Sequence, residues 1–176
     1  DLVLGISTES DNLQLYRNTG SAVAPNYAVE DSSMLSMIDV GSNARAALAD
    51  LDNDGDVDMV LGGSKSGLTY FENTGSRTQP RFELVPDVFS AITGSNLSPA
   101  VCDWDSDGDP DLLIGTNAGR IQYWRNDGSA NTFQAVLADE QLGGIKVDQL
   151  AVPCPRDVDG DGLFDLVVGG GDFNGF

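Results

Sequence analysis

Three acidic stretches of the sequence combine residue types and a spacing that suit metal binding. They are residues 50–58 (DLDNDGDVD), 103–111 (DWDSDGDPD) and 157–165 (DVDGDGLFD). Each has aspartate at positions 1, 3, 5 and 9 and glycine at position 6. Alternate residues of a tight loop can aim their carboxylates at one point, and the glycine permits the sharp turn. The pattern therefore predicts three loops that each surround one cation with oxygen atoms.

Calcium is the cation that this donor set favours. Ca²⁺ accepts six to eight oxygen ligands in a flexible geometry, whereas Mg²⁺ gives up its water reluctantly and Zn²⁺ prefers nitrogen and sulfur. A main-chain carbonyl at position 7 needs no particular side chain, which is consistent with the variation among Asp56, Asp109 and Leu163. We therefore expect three Ca²⁺ sites.

Two other interpretations of the acidic stretches fit less well. A solvated acidic surface would not place glycine at position 6 three times. An EF-hand has a bidentate glutamate at position 12, where this sequence has Leu61, Ile114 and Val168. Each stretch also continues into a short aliphatic segment that ends in glycine, as in Met59–Gly62, and this is typical of a strand.

The loops belong to a longer repeat. Their first aspartates, at 50, 103 and 157, are separated by 53 and 54 residues, a period typical of repeat architectures. After the second strand of each repeat, an aromatic strand leads to an Asn-x-Gly turn at Asn73 and again at Asn126. A further strand follows each turn. We therefore predict an all-β fold made of β-propeller blades, each with four antiparallel strands and a calcium loop between strands 1 and 2.

The repeats divide the chain into two complete and two incomplete blades. Asp1–Gly5 matches Asp58–Gly62, so Asp1 corresponds to position 9 of a loop whose other positions are absent. We expect a partial propeller that is a segment of a longer protein. The predicted units are an incomplete blade at 1–30 (strands 2–4), blades at 44–88 and 98–141, and an incomplete blade at 150–176 (strands 1 and 2).

The complete pattern, an acidic loop followed by an aliphatic strand and a [YW]-x-x-N-x-G turn, resembles the FG-GAP/VCBS repeats. These repeats form β-propellers, including the head of integrin α subunits. The resemblance implies that the side chains at positions 1, 3, 5 and 9 and the carbonyl at position 7 bind Ca²⁺. The implied ligands are Asp50, Asp52, Asp54, Asp56 and Asp58 in the first loop, Asp103, Asp105, Asp107, Asp109 and Asp111 in the second, and Asp157, Asp159, Asp161, Leu163 and Asp165 in the third.

The same resemblance implies an extracellular or cell-surface module that binds a protein or a glycan. Two alternatives remain open. The repeats could form a structural subunit of a surface filament or sheath, with neighbouring copies or segments completing the propeller. They could also be the non-catalytic propeller of a larger secreted enzyme, such as a polysaccharide lyase.

Composition excludes several other classes of function. The formal net charge is −19, which disfavours binding to nucleic acid or to an anionic membrane. No apolar run is long enough to insert into a membrane. The sequence contains no histidine, so the commonest general base is absent, and we expect that the chain is not an enzyme.

Two groups of side chains allow more than one interpretation. Cys102 and Cys154 could form a disulfide between blades or remain free thiols in the core. The aromatic residues of the third strands could form a platform for sugars or could pack between blades. Trp104 has no aromatic counterpart in the other loops and is a candidate for ligand contact. The strand-three aromatics are Tyr16, Tyr70, Phe71, Tyr123 and Trp124.

Overall fold

A computed structural model of the protein describes residues 2–5, 13–29, 38–129 and 131–171. Within these residues the fold is all-β, with four antiparallel sheets that each join consecutive strands. Their strands are β1 (Leu2–Gly5), β2 (Leu13–Asn18), β3 (Tyr27–Val29), β4 (Arg45–Ala49), β5 (Asp58–Gly62), β6 (Thr69–Asn73), β7 (Phe82–Val85), β8 (Ser98–Cys102), β9 (Asp111–Gly115), β10 (Ile121–Asn126), β11 (Ala135–Asp139), β12 (Val152–Arg156) and β13 (Asp165–Gly169).

Two sheets have the four strands expected of a complete propeller blade. One contains β4 to β7 and the other contains β8 to β11, each in sequence order. The acidic loops at 50–58 and 103–111 join the first two strands of these sheets. The other two sheets contain β1 to β3 and β12 with β13. These sheets agree with partial propeller blades, and the described strands form no closed barrel.

The core lies between the sheets, since the second strand of a four-stranded sheet is buried on both faces. Met59 and Leu61 of β5 pack with Leu13 of β2 on one side. Val60, which points the opposite way, packs with Leu112 of β9 on the other side. Successive side chains of a strand point to opposite faces, so a strand covered on both faces needs a continuous apolar run rather than an alternating one.

The sheet of β12 and β13 has one face that no described residue covers. Val167 of β13 occupies the position of Val60 and Leu113, whose exposed fractions are both 0%, yet it is 56% exposed. Val152 and Val158 on the same sheet and its loop are also exposed. The described residues therefore leave an apolar surface at this end.

The two cysteines are both free thiols. Cys102 is half-buried, and burial together with the nearby Asp111 and Asp103 raises the pKa of its thiol to about 12. Cys154 is exposed, so it does not occupy the core position considered for it from the sequence.

No helix among the described residues is long and apolar enough to cross a membrane.

Candidate metal centres

The three acidic loops bring carboxylates together where the first strand of a sheet turns into the second. In each loop the aspartates at positions 1, 3 and 9 have ligand oxygens that all lie within 4.8 Å of one another. Such spacing would allow one cation to contact all three. The three clusters are Asp50, Asp52 and Asp58; Asp103, Asp105 and Asp111; and Asp157, Asp159 and Asp165.

Left-handed backbone at two positions gives each loop its tight curvature. Glycine at position 6 has a positive φ throughout, as at Gly55 with 96°. Position 4 also has a positive φ, at Asn53 (58°), Ser106 (61°) and Gly160 (81°). Sequence reasoning expected this conformation only at position 6. The signal at position 4 was the choice of asparagine and glycine, which tolerate left-handed backbone better than most residues do.

In the first two loops, the first aspartate holds the turn with one oxygen only, whereas Asp157 of the third loop accepts main-chain hydrogen bonds at both of its oxygens. Asp50 Oδ2 accepts a hydrogen bond from the Gly55 amide at 3.0 Å, and Asp103 Oδ2 accepts one from Gly108 at 3.0 Å. The remaining Oδ1 atoms of Asp50 and Asp103 are buried and have no hydrogen-bond partner. Since a buried unpaired carboxylate oxygen is costly, the loops fit a cation that would ligate these atoms.

The aspartates at positions 3 and 5 also bind main-chain amides. Asp52 Oδ1 accepts from the Asp54 amide at 3.2 Å, and Asp54 Oδ1 accepts from the Asp56 amide at 2.8 Å. Asp107 and Asp161 repeat the second of these contacts. The position-5 carboxylates stand outside the three-carboxylate clusters, and the predicted position-7 residues are fixed by their amides. The assignment of positions 5 and 7 as ligands stays a prediction.

The aspartate at position 9 connects its loop to the third strand of the sheet. Asp58, which is 1% exposed, accepts from the Leu51 amide and the Tyr70 hydroxyl at Oδ2, and from the Asn73 amide at Oδ1. Asp111 accepts from the equivalent donors Trp104, Tyr123 and Asn126. These aspartates fix the relative position of the loop, strand and turn.

Sequence reasoning missed the two tyrosines as part of the site. The interpretation as packing between blades agrees with their burial in the core clusters, but their hydroxyls also donate to a predicted metal ligand. The signal that could have found them is a tyrosine twelve residues after the position-9 aspartate in both complete repeats. Phe71 and Trp124, the other strand-three aromatics of these repeats, pack in the core between sheets.

Burial and mutual repulsion act against the negative charge of the first two loops. Burial raises the pKa of Asp52, and the charges of Asp58, Asp54 and Asp50 raise it further. Burial also raises the pKa of Asp111. In the more exposed third loop, amides of Gly162 and Gly160 lower the pKa of Asp157. A bound cation would relieve the repulsion because it supplies the missing positive charge.

The second and third acidic loops contact each other through aromatic rings. The Trp104 ring in the second loop is stacked against Phe164 of the third loop, with ring centroids 6.3 Å apart, and is also near Tyr123. Its ring therefore packs between loops, so its role as a ligand contact gains no support.

Asp1, the candidate member of a fourth loop, lies outside the described residues.

The sequence of the loops and strands agrees with a known repeat family. The family model of the FG-GAP-like repeat matches residues 50–114 and again residues 103–168. The chain belongs to the FG-GAP-like repeat family. Each match begins at the first aspartate of one acidic loop and ends in the strand that follows the next acidic loop. Both matches therefore include two successive acidic loops. No curated protein matches this FG-GAP-like chain.

Proposed function

We propose that the three acidic loops bind Ca²⁺ and that the bound ions stabilise a non-catalytic FG-GAP-like binding module. The observation that carries this proposal is the pair of buried, unpartnered oxygens, Asp50 Oδ1 and Asp103 Oδ1. Each belongs to a cluster of three carboxylates with room for one shared ion. A hard cation with many oxygen ligands supplies what these atoms lack.

The expected stabilisation is large relative to the stability of an ordinary domain. At a free Ca²⁺ concentration ten times the dissociation constant, each site adds about 1.4 kcal/mol, and three sites add roughly 4 kcal/mol. Typical domains are stable by only about 5–15 kcal/mol. We therefore expect the calcium-free chain to unfold at a markedly lower temperature.

Titration calorimetry of the calcium-free chain tests the proposal. We expect a stoichiometry of three, and we expect Asp103→Asn to remove one site because it alters a position-1 ligand. Asp148→Asn is the matched control, since it removes the same charge from an exposed residue outside the loops. Absence of binding, or equal loss in both variants, would overturn the proposal.

The wider role that we propose is binding of a protein or glycan outside the cell. Two facts support it: FG-GAP-like repeats are typically extracellular, and the loops are rich in the ligands of a cation that is abundant there. The propeller would hold its connecting loops rigid for recognition. A panel of glycans and cell-surface proteins, applied with calcium and with chelator, should give binding that requires calcium; binding that is indifferent to chelation would contradict this role.

The exposed apolar face of β12 and β13 favours a second candidate, a structural subunit whose neighbours complete the propeller. Val167 and Val158 are exposed where their counterparts in earlier repeats are more buried. Native mass spectrometry should then show oligomers that Val167→Lys disrupts. Val23→Lys, at a residue that is already 96% exposed, is the control. A monomer in both variants and in the parent chain would exclude this candidate.

A further inference from the structure

One hydrogen bond joins the first acidic loop to the neighbouring sheet. The Asn131 side chain donates from Nδ2 to the main-chain oxygen of Asp52 at 2.8 Å, across a separation of 79 residues. Asn131 lies in the connection between β10 and β11, whereas Asp52 is position 3 of the first loop. The donor is therefore part of the second complete sheet and the acceptor part of the first.

At the acceptor end, the bond fixes a peptide group that shapes the cation cluster. The Asp52 carbonyl belongs to the peptide that leads into Asn53, whose φ of 58° is left-handed. A non-glycine residue adopts this conformation only at some cost, so an external hydrogen bond helps to hold it. The same residue, Asp52, contributes its carboxylate to the cluster with Asp50 and Asp58.

At the donor end, the connection is tied to the second acidic loop. The Asn126 amide donates to Asp111 Oδ1 at 2.8 Å, and Asn126 Oδ1 accepts from the amides of Gly128 and Gln134. Ser129 and Thr132, which lie between Gly128 and Gln134, exchange two main-chain hydrogen bonds. A continuous set of contacts thus runs from Asp111, a member of the second cluster, to the Asp52 carbonyl.

We propose that Asn131 is a positioning residue for the first cation loop and that it couples the first and second sites. The inference rests on the proposed calcium binding. A cation in the second loop fixes Asp111, which holds the Asn126 turn and so orders Asn131 against Asp52. The first loop then binds its own cation at a lower ordering cost, and by linkage the effect is reciprocal.

The preceding repeat provides a matched control for Asn131. Thr78 occupies the same position in the turn between β6 and β7, five residues after Asn73 as Asn131 is five residues after Asn126. Thr78 is exposed, and no hydrogen bond joins its side chain to an acidic loop among the described residues. Its replacement by alanine should leave both sites unchanged.

The coupling is tested in the full chain with Asp159→Asn, which inactivates the third site. Calcium titrations followed by the Gly55 amide signal in NMR report occupancy of the first loop, because that amide binds Asp50. Adding Asp105→Asn removes the second site. We expect this change to weaken the first site about fivefold, within the range of known couplings between sites.

Asn131→Ala should weaken the first site to a similar extent, and Asp105→Asn should then have little further effect on it. Asn131→Leu, which keeps the approximate size of the side chain, loses the donor and adds no charge, should behave as Asn131→Ala does, while Thr78→Ala should behave as the parent. If calcium binds but the calcium affinity of the first loop is the same in the Asn131 and Asp105 variants as in the parent, the coupling is overturned. If calcium binds to no variant, the proposed function itself fails.

Discussion

At the scale of single residues, the position-9 aspartates serve two purposes. Both oxygens of Asp58 accept hydrogen bonds from protein donors, and the same side chain belongs to a carboxylate cluster that could hold a cation. A carboxylate oxygen has more than one lone pair, so it can accept from a donor and also ligate a cation. Asp58 and Asp111 therefore hold the strands in place and contribute negative charge to the site.

Tyr70→Phe tests the structural purpose of Asp58. The variant removes one of the two donors to Asp58 Oδ2, and we expect a loss of about 1–2 kcal/mol in the free energy of unfolding. Urea denaturation in saturating calcium gives this value. Tyr16→Phe is the control, because the Tyr16 hydroxyl donates to the partly buried Gln14 and to no aspartate of a loop. Equal losses in the free energy of unfolding of the two variants would show that the hydrogen bond to Asp58 contributes no more to stability than the bond to Gln14.

At the scale of strands and loops, the sequence predicts the structural features that depend on residues within a single repeat. The aspartate spacing predicts the loops, and the glycine-terminated aliphatic runs predict β5, β9 and β13. Residue patterns do not predict the contacts between repeats, because these contacts depend on how the sheets pack against one another. The hydrogen bond from Asn131 to Asp52 and the stacking of Trp104 on Phe164 are of this kind.

The glycines that end the second strands of the two four-stranded sheets make further contacts between repeats. A Cβ atom at Gly62 would lie 2.1 Å from the Leu97 carbonyl oxygen, and one at Gly115 would lie 2.0 Å from that of Ala151. At Gly169 the nearest atom would be Val152 Cβ at 3.5 Å, an ordinary contact. The first two glycines therefore allow the main chain of the next sheet to approach closely.

Gly62→Ala should accordingly destabilise the chain by about 2 kcal/mol, because the main chain of Leu97 must move to make room. Gly169→Ala, at the same position of the last repeat, should change stability by less than about 0.5 kcal/mol. Thermal and urea unfolding of both variants in saturating calcium measure the difference. Similar losses would mean that the glycines are required within their own strands instead.

At the scale of the whole molecule, electrostatic repulsion among the aspartates opposes folding. The net charge of −19 is concentrated in the three loops, which hold twelve aspartates at positions 1, 3, 5 and 9. Self-repulsion of this size destabilises a compact state. Three doubly charged ions placed in the loops would offset six of these charges where they are densest.

Stability should therefore depend on salt far more strongly without calcium than with it. Raising NaCl from about 10 mM to about 100 mM shortens the screening length from ~30 Å to ~10 Å and weakens the repulsion. We expect the melting temperature of the calcium-free chain to rise over this range, and that of the calcium-saturated chain to rise much less. Parallel salt dependences would indicate that the loops are not the source of the repulsion.

The bond from Asn131 to Asp52 also has a consequence for a chain that is still being made. The four strands β4 to β7 follow one another closely, so their sheet can form as soon as they leave the ribosome, but Asn131 emerges 79 residues after Asp52. At ~5–20 residues per second, that delay is roughly 4–16 s. During this interval the first loop must keep its shape without its partner from the next sheet. Under the proposed coupling, the first candidate cation site would reach its tighter form only after the following repeat has been synthesised.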